Sequence, residues 1–134
     1  MSCIDLKVPI KLLEGGTFSK GFIIQTGALL IPINMLGYTA DFAIRAKISD
    51  LVALISGSAI TSPWTADGVT GIYFDPDILG RFVLYINDED TRSLCADHKE
   101  IKGSYDIFLY NPAGEAEYKI YGTCNILPAV TRWA

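Results

Sequence analysis

Asp41-Phe42-Ala43-Ile44-Arg45-Ala46-Lys47-Ile48 repeats with a period of two. In an extended chain successive side chains point to opposite faces. Phe42, Ile44, Ala46 and Ile48 therefore share one side, and Arg45 and Lys47 fall on the other, as in a strand with one buried face. The same period returns in Arg81-Phe82-Val83-Leu84-Tyr85-Ile86-Asn87, with Phe82, Leu84 and Ile86 inward. It returns again in residues 104–111, through Tyr105, Ile107 and Leu109, and in residues 117–126, through Tyr118, Ile120, Gly122 and Cys124.

Turn chemistry separates these runs. In Asn111-Pro112-Ala113-Gly114, Pro112 presets φ and Gly114 accepts a left-handed backbone, so the last two strands are predicted to form an antiparallel hairpin. Asp67-Gly68 opens a further strand over residues 69–74, which Asp75-Pro76-Asp77 closes. Residues 17–26 and 29–34 read as earlier strands, with Gly27 at the bend. Residues 51–60 are apolar apart from Ser56-Gly57-Ser58, so periodicity leaves helix and strand open there. One short helix is predicted over residues 88–96, capped by Asn87 or Asp88 and led by Glu89 and Asp90 at its positive end. It crosses between sheets.

Seven or eight short strands with frequent turns predict an all-β, immunoglobulin-like antiparallel sandwich with one crossover helix. It should occupy residues 17–134. Residues 1–16 form an arm or extra strand before Gly15-Gly16, with Ile4, Leu6, Val8, Ile10 and Leu12 in alternation. Such a segment can pair within its own domain or add to a neighbour's edge. Tyr105, early in a strand after the crossover, is placed to return its hydroxyl to the backbone.

Composition narrows the function. The chain has 134 residues, half of them hydrophobic, and carries a net charge of −4. Scattered Lys and Arg without a run argue against nucleic acid as a partner. The apolar stretches at 27–36 and 51–60 are interrupted and fall short of the ~20 residues of a spanning helix, so no membrane insertion is expected. The N-terminus lacks a signal-peptide pattern, so a protein made in a cytoplasm and remaining soluble is expected.

Catalytic and cofactor chemistry has little to stand on. Cys3, Cys95 and Cys124 have no Cys-x-x-Cys spacing; they read as free thiols, with an inter-subunit disulfide through Cys3 as the alternative. His98 is the sole histidine and lies in a polar loop. Asp75 with Asp77, and Asp88-Glu89-Asp90, lack the ligand spacing and central glycine of a calcium loop. No cofactor, metal or catalytic residue is assigned. Tyr110, Tyr118 and Tyr121 flank the final hairpin, where they pack across strands or offer a carbohydrate platform. Trp64 and Trp133 lie in loop or end segments, where they either anchor contacts or pack in the core.

Several stretches, taken in order over residues 17–132, resemble a family of small phage tail proteins. They are Ile33-Asn34-Met35-Leu36-Gly37-Tyr38-Thr39-Ala40-Asp41-Phe42-Ala43-Ile44-Arg45, residues 68–74, the crossover Asp88-Glu89-Asp90-Thr91-Arg92-Ser93-Leu94, Gly103-Ser104-Tyr105-Asp106-Ile107-Phe108-Leu109 with its Pro-x-Gly hairpin, and Asn125-Ile126-Leu127-Pro128-Ala129-Val130-Thr131-Arg132. The chain departs from plainer members in its apolar N-terminus and its longer region 48–64. The resemblance implies an immunoglobulin-like sandwich in a virion tail. There it would be a collar, fibre-attachment or baseplate connector subunit, assembled as a ring with copies of itself and other tail proteins. It implies no catalytic residue. The expected contacts are Ile4, Leu6, Val8, Ile10, Leu12, Trp64 and Trp133, with Tyr105, Pro112 and Gly114 structural. Two rivals stand beside this expectation: a receptor- or glycan-binding tail module, and a small hydrolase.

Overall fold

A computed structural model describes residues 4–26, 31–47, 49–60, 69–92, 94–95 and 99–128. The alternating segments become strands: β1 (Ile4–Lys7), β2 (Ile10–Leu13), β3 (Phe18–Ile23), β4 (Gln25–Thr26), β5 (Ile31–Pro32), β6 (Thr39–Arg45), β7 (Ile55–Ser58), β8 (Gly71–Phe74) and β9 (Arg81–Ile86). The helix α1 (Asp88–Thr91) precedes β10 (Ile101–Tyr110) and β11 (Ala116–Leu127). The large sheet runs β1-β11-β10-β6-β7, with β2 also on β11; the small sheet runs β3-β9-β8, and β4 and β5 form a separate hairpin. The two sheets divide the strands as immunoglobulin sandwiches do, with β3, β9, β8 as the B-E-D layer and β11, β10, β6 as the G-F-C layer.

The core lies where the period-two faces meet. Phe42, Ile44, Ile107, Leu109, Ile120 and Ile126 come from the large sheet, and Phe22, Ile72, Phe82, Leu84 and Ile86 from the small one. Phe22 and Phe82 stack with centroids 5.1 Å apart. An isolated parallel bridge between Ala59 and Ile72 joins the sheets along one flank. The opposite flank ends in β1, β2 and β3.

The final hairpin forms as its sequence predicts. Gly114 has φ 84°, and the Asn111 carboxamide oxygen accepts the N–H groups of Ala113 and Glu115 at 3.1 and 3.0 Å. The Tyr105 hydroxyl does return to the backbone, donating to the Val8 carbonyl at 2.5 Å.

Other expectations need correction. The crossover helix is one turn, not nine residues. Asn87 caps it, accepting the Glu89 N–H at 2.9 Å, but Arg92 is already extended (φ −66°, ψ 133°). Two bonds to the arm draw the chain away. The Thr91 hydroxyl donates to Gly16 O at 2.8 Å, and the Cys95 N–H donates to the Glu14 carboxylate at 2.6 Å instead of to a helical carbonyl. The strand expected from residue 69 starts at Gly71, because the Thr70 hydroxyl accepts the Asn87 N–H and donates to Asp90. β6 ends at Arg45, short of Ala46 and Lys47. In the ambiguous stretch 51–60, β7 is a strand and Leu51 and Val52 are exposed in the loop before it. Apart from the Ala59–Ile72 bridge, the described strands pair antiparallel except at the arm, where β1 and β2 both run parallel to β11. Gly15 adopts φ 78° in a turn closed by the Gly16 N–H on Leu13 O.

Candidate functional site

Two surfaces concentrate chemistry beyond the core: the arm at the open flank, and the outer face of the large sheet.

The arm is one strand broken once. β1 and β2 hold the same register on β11, Ile4 opposite Tyr118 and Ile10 opposite Cys124. Pro9, which has no N–H to give, sits at the break. Here the chain leans over the inner side of Gly122. A Cβ at that position would collide with the Val8 carbonyl oxygen and lie 2.9 Å from its carbon. Three bonds fasten the crossing: the Val8 N–H to Tyr121 O at 2.8 Å, the Tyr105 hydroxyl to Val8 O, and the Glu14 N–H to Leu127 O at 2.9 Å.

All of Ile4, Leu6, Val8, Ile10 and Leu12 point to the inner side of the sheet, as their alternation predicts, but their surroundings differ. Ile10 and Leu12 are buried in their own chain and Val8 is half-buried. Ile4 is 49% and Leu6 36% exposed. The outward-facing part of the expected interface is therefore Ile4 and Leu6 on the edge strand β1. Trp64, Trp133, His98 and Cys3 lie outside the described residues.

The strand registers define the outer face. One row across the sheet reads Lys7, Tyr121, Asp106, Ala43, Ser56; the next towards the hairpin reads Asp5, Lys119, Phe108, Asp41, Ser58; on the other side lie Thr123, Ser104 and Arg45. Small side chains at Ala43 and Ser104 stand between taller ones. The result is an open concavity of about 280 Å³, lined by Lys7, Ala43, Arg45, Ser104, Asp106, Lys119, Tyr121 and Thr123 over the backbone of Tyr105 and Gly122. Three cations face one carboxylate there, on a chain whose net charge is −4.

These cations are steered by their neighbours. The Lys119 ammonium lies 5.6 Å from the Phe108 ring centre and 5.4 Å from that of Tyr121, within cation–π range. Arg45 donates through Nε to Asp50 O at 3.1 Å. Phe108 and Tyr110 stack at 6.3 Å on the same face. The tyrosine-rich hairpin is therefore divided: Tyr110 and Tyr121 face outward, and Tyr118 is buried in the core.

The acidic groups noted in the sequence have local work. Asp75 accepts the N–H groups of Asp77 and Ile78 and pairs with Arg81 at 2.7 Å; the Asp77 backbone bond, then Arg81, holds its carboxyl below the usual range. Asp88, Glu89 and Asp90 form the first turn of α1. Cys95 and Cys124 are buried; the Cys95 thiol donates to Ile126 O at 3.6 Å, and burial pushes the Cys124 thiol up to about 12. Among the described residues no group of three His, Cys, Asp or Glu is placed to hold a metal ion. Among the same residues no helix is long and apolar enough to cross a membrane.

The concavity was not legible as a site in the sequence. Lys7, Arg45, Lys119 and Tyr121 come from three separated segments, and only the registers of β1, β6, β10 and β11 bring them together. No family model matches the chain, and no curated protein matches it in sequence. The immunoglobulin-like fold defines a class of sandwich domain, and the tail-protein resemblance rests on the residues quoted for it.

Proposed function

We propose that the chain is a non-catalytic structural subunit that assembles with copies of itself through the edge of its N-terminal arm. In this reading it serves a phage tail as a collar, fibre-attachment or baseplate connector protein, located in the virion and in contact with other tail proteins. The observation that carries the assembly is the exposure of Ile4 and Leu6 on an edge strand.

An edge strand offers unpaired backbone groups to another chain, and proteins commonly blunt such edges with inward charges. β3, the edge of the small sheet, is blunted in this way: Lys20 shares the core-facing side with Phe18 and Phe22 yet is exposed. β1 presents Ile4 and Leu6 on the corresponding side instead. Contact between β1 and a different surface of a neighbour would be heterologous, and repetition about an axis closes into a ring. The tail assignment itself follows from the resemblance.

Light scattering coupled to size-exclusion chromatography on the full chain tests the assembly. The expected result is an oligomer for the wild type and a monomer of unchanged melting temperature for the Ile4→Lys, Leu6→Lys double variant. A wild type that stays monomeric at high concentration, or a variant that assembles equally well, contradicts the arm interface. Immunogold labelling of intact particles tests the location, with label on the tail expected and label absent from virions contrary to it.

A further inference from the structure

We propose that the outer-face concavity over Ala43 and Ser104 is a binding site for a single anionic sugar ring. It opens on the outer face of the sheet, meets the arm edge only at Lys7, and does not depend on the assembly reading.

The argument begins with what the rows bring together. Lys7 and Arg45 stand on strands three places apart, which at strand spacing is roughly 14 Å between backbones. Small residues between them leave room for something about as wide as one ring. Drug-sized ligands occupy cavities of roughly 300–1,000 Å³, so about 280 Å³ suits a single pyranose better than a longer ligand.

The lining then selects the chemistry. Tyr121 offers an aromatic surface against which the C–H face of a sugar can pack. Ser104 and Thr123 bring hydroxyls that donate and accept, and the Asp106 carboxylate accepts from ring hydroxyls. Within the lining Lys7, Arg45 and Lys119 outnumber the one carboxylate, while Asp5 and Asp41 stand in the neighbouring row. The positive excess is therefore confined to the concavity and favours a ligand with a single negative group placed there. Lys119 is positioned before any ligand arrives, because the Phe108 and Tyr121 rings flank its ammonium. A purely aromatic platform would take neutral sugars, and a bare cation cluster would take any small anion. The combination calls for both features in one molecule, a ring bearing carboxylate or sulfate.

The test is a calorimetric titration of the full chain with glucuronate, glucose 6-sulfate, glucose and acetate, with backbone amide shifts followed by NMR on the same protein. Glucuronate, glucose 6-sulfate or both should bind, moving amides of residues 104–106 and 119–123; which of them binds tells carboxylate from sulfate. Glucose and acetate should not bind measurably, and added salt should weaken the complex. Tyr121→Ser and Lys7→Ser should each weaken binding about tenfold or more without changing the melting temperature; Lys7 is exposed, so its variant stays folded. No binding of either acidic sugar overturns the proposal. So does binding that survives both substitutions, or acetate binding as tightly as the sugars, which would reduce the site to a cation patch.

Discussion

The two halves of the N-terminal arm pair with the same strand, in the same direction and register, and carry the same alternation of apolar residues, yet their fates differ. In β2, Leu12 is fully buried; in β1, Ile4 and Leu6 stay open. The difference lies in what covers them. After β2 the chain is tied to the crossover segment by Glu14 with Cys95 and by Gly16 with Thr91. No comparable tie reaches β1 among the described residues. Alternation selects the face a side chain occupies, and a second layer decides whether that face is core or contact surface.

Substitutions can break this contrast. Leu12→Ala should be the most damaging change, costing about 3 kcal/mol of stability for a fully buried leucine, read by urea unfolding. Leu6→Ala should cost under about 1 kcal/mol and act on assembly instead. Equal losses at the two positions would remove the distinction between the halves. Gly122→Ala sharpens the picture at the break, since its Cβ must displace Val8. It should cost about 2 kcal/mol and expose the arm to protease before the sandwich unfolds. Tyr105→Phe leaves the Val8 carbonyl without the hydroxyl that reaches it and should cost about 1–2 kcal/mol, again by urea unfolding.

A further effect is confined to alkaline pH. Burial raises the Cys124 thiol from 9.0 to about 12. Burial, followed by the bond to Glu117, raises the Tyr38 hydroxyl from 10.0 to about 12. A raised folded value contributes stability that is fully present below the unfolded value and lost as pH rises towards the folded one. The melting temperature should therefore begin to fall near pH 9 and continue falling towards pH 12. Cys124→Ala should delay that onset towards the tyrosine range, and an unchanged onset would show that Cys124 stays out of the titration.

Most of the sandwich was legible in the sequence because its strands carry their own period. Phe82, Leu84 and Ile86 declare an inward face, and Pro112 with Gly114 declares a turn. The length of α1 was not legible, because the bonds that end it come from Gly16 and Glu14, more than seventy residues earlier. The parallel pairing of the arm was also hidden: Pro9 marks the break, but Gly122 and Tyr105, which receive it, are distant in the chain. The outer-face concavity lay further from view, since its cations become neighbours only through register. In each case a local pattern was readable and a long-range partner was not.

Hydrogen–deuterium exchange across a concentration series measures the contrast directly. Amides of Ile10–Leu13 should be protected equally at every concentration, since their cover comes from the same chain. The amides of Ile4–Lys7 that face the open edge and not β11 should exchange quickly in dilute protein and gain protection as concentration rises. Protection of both halves that is the same and independent of concentration would contradict an arm edge that assembles.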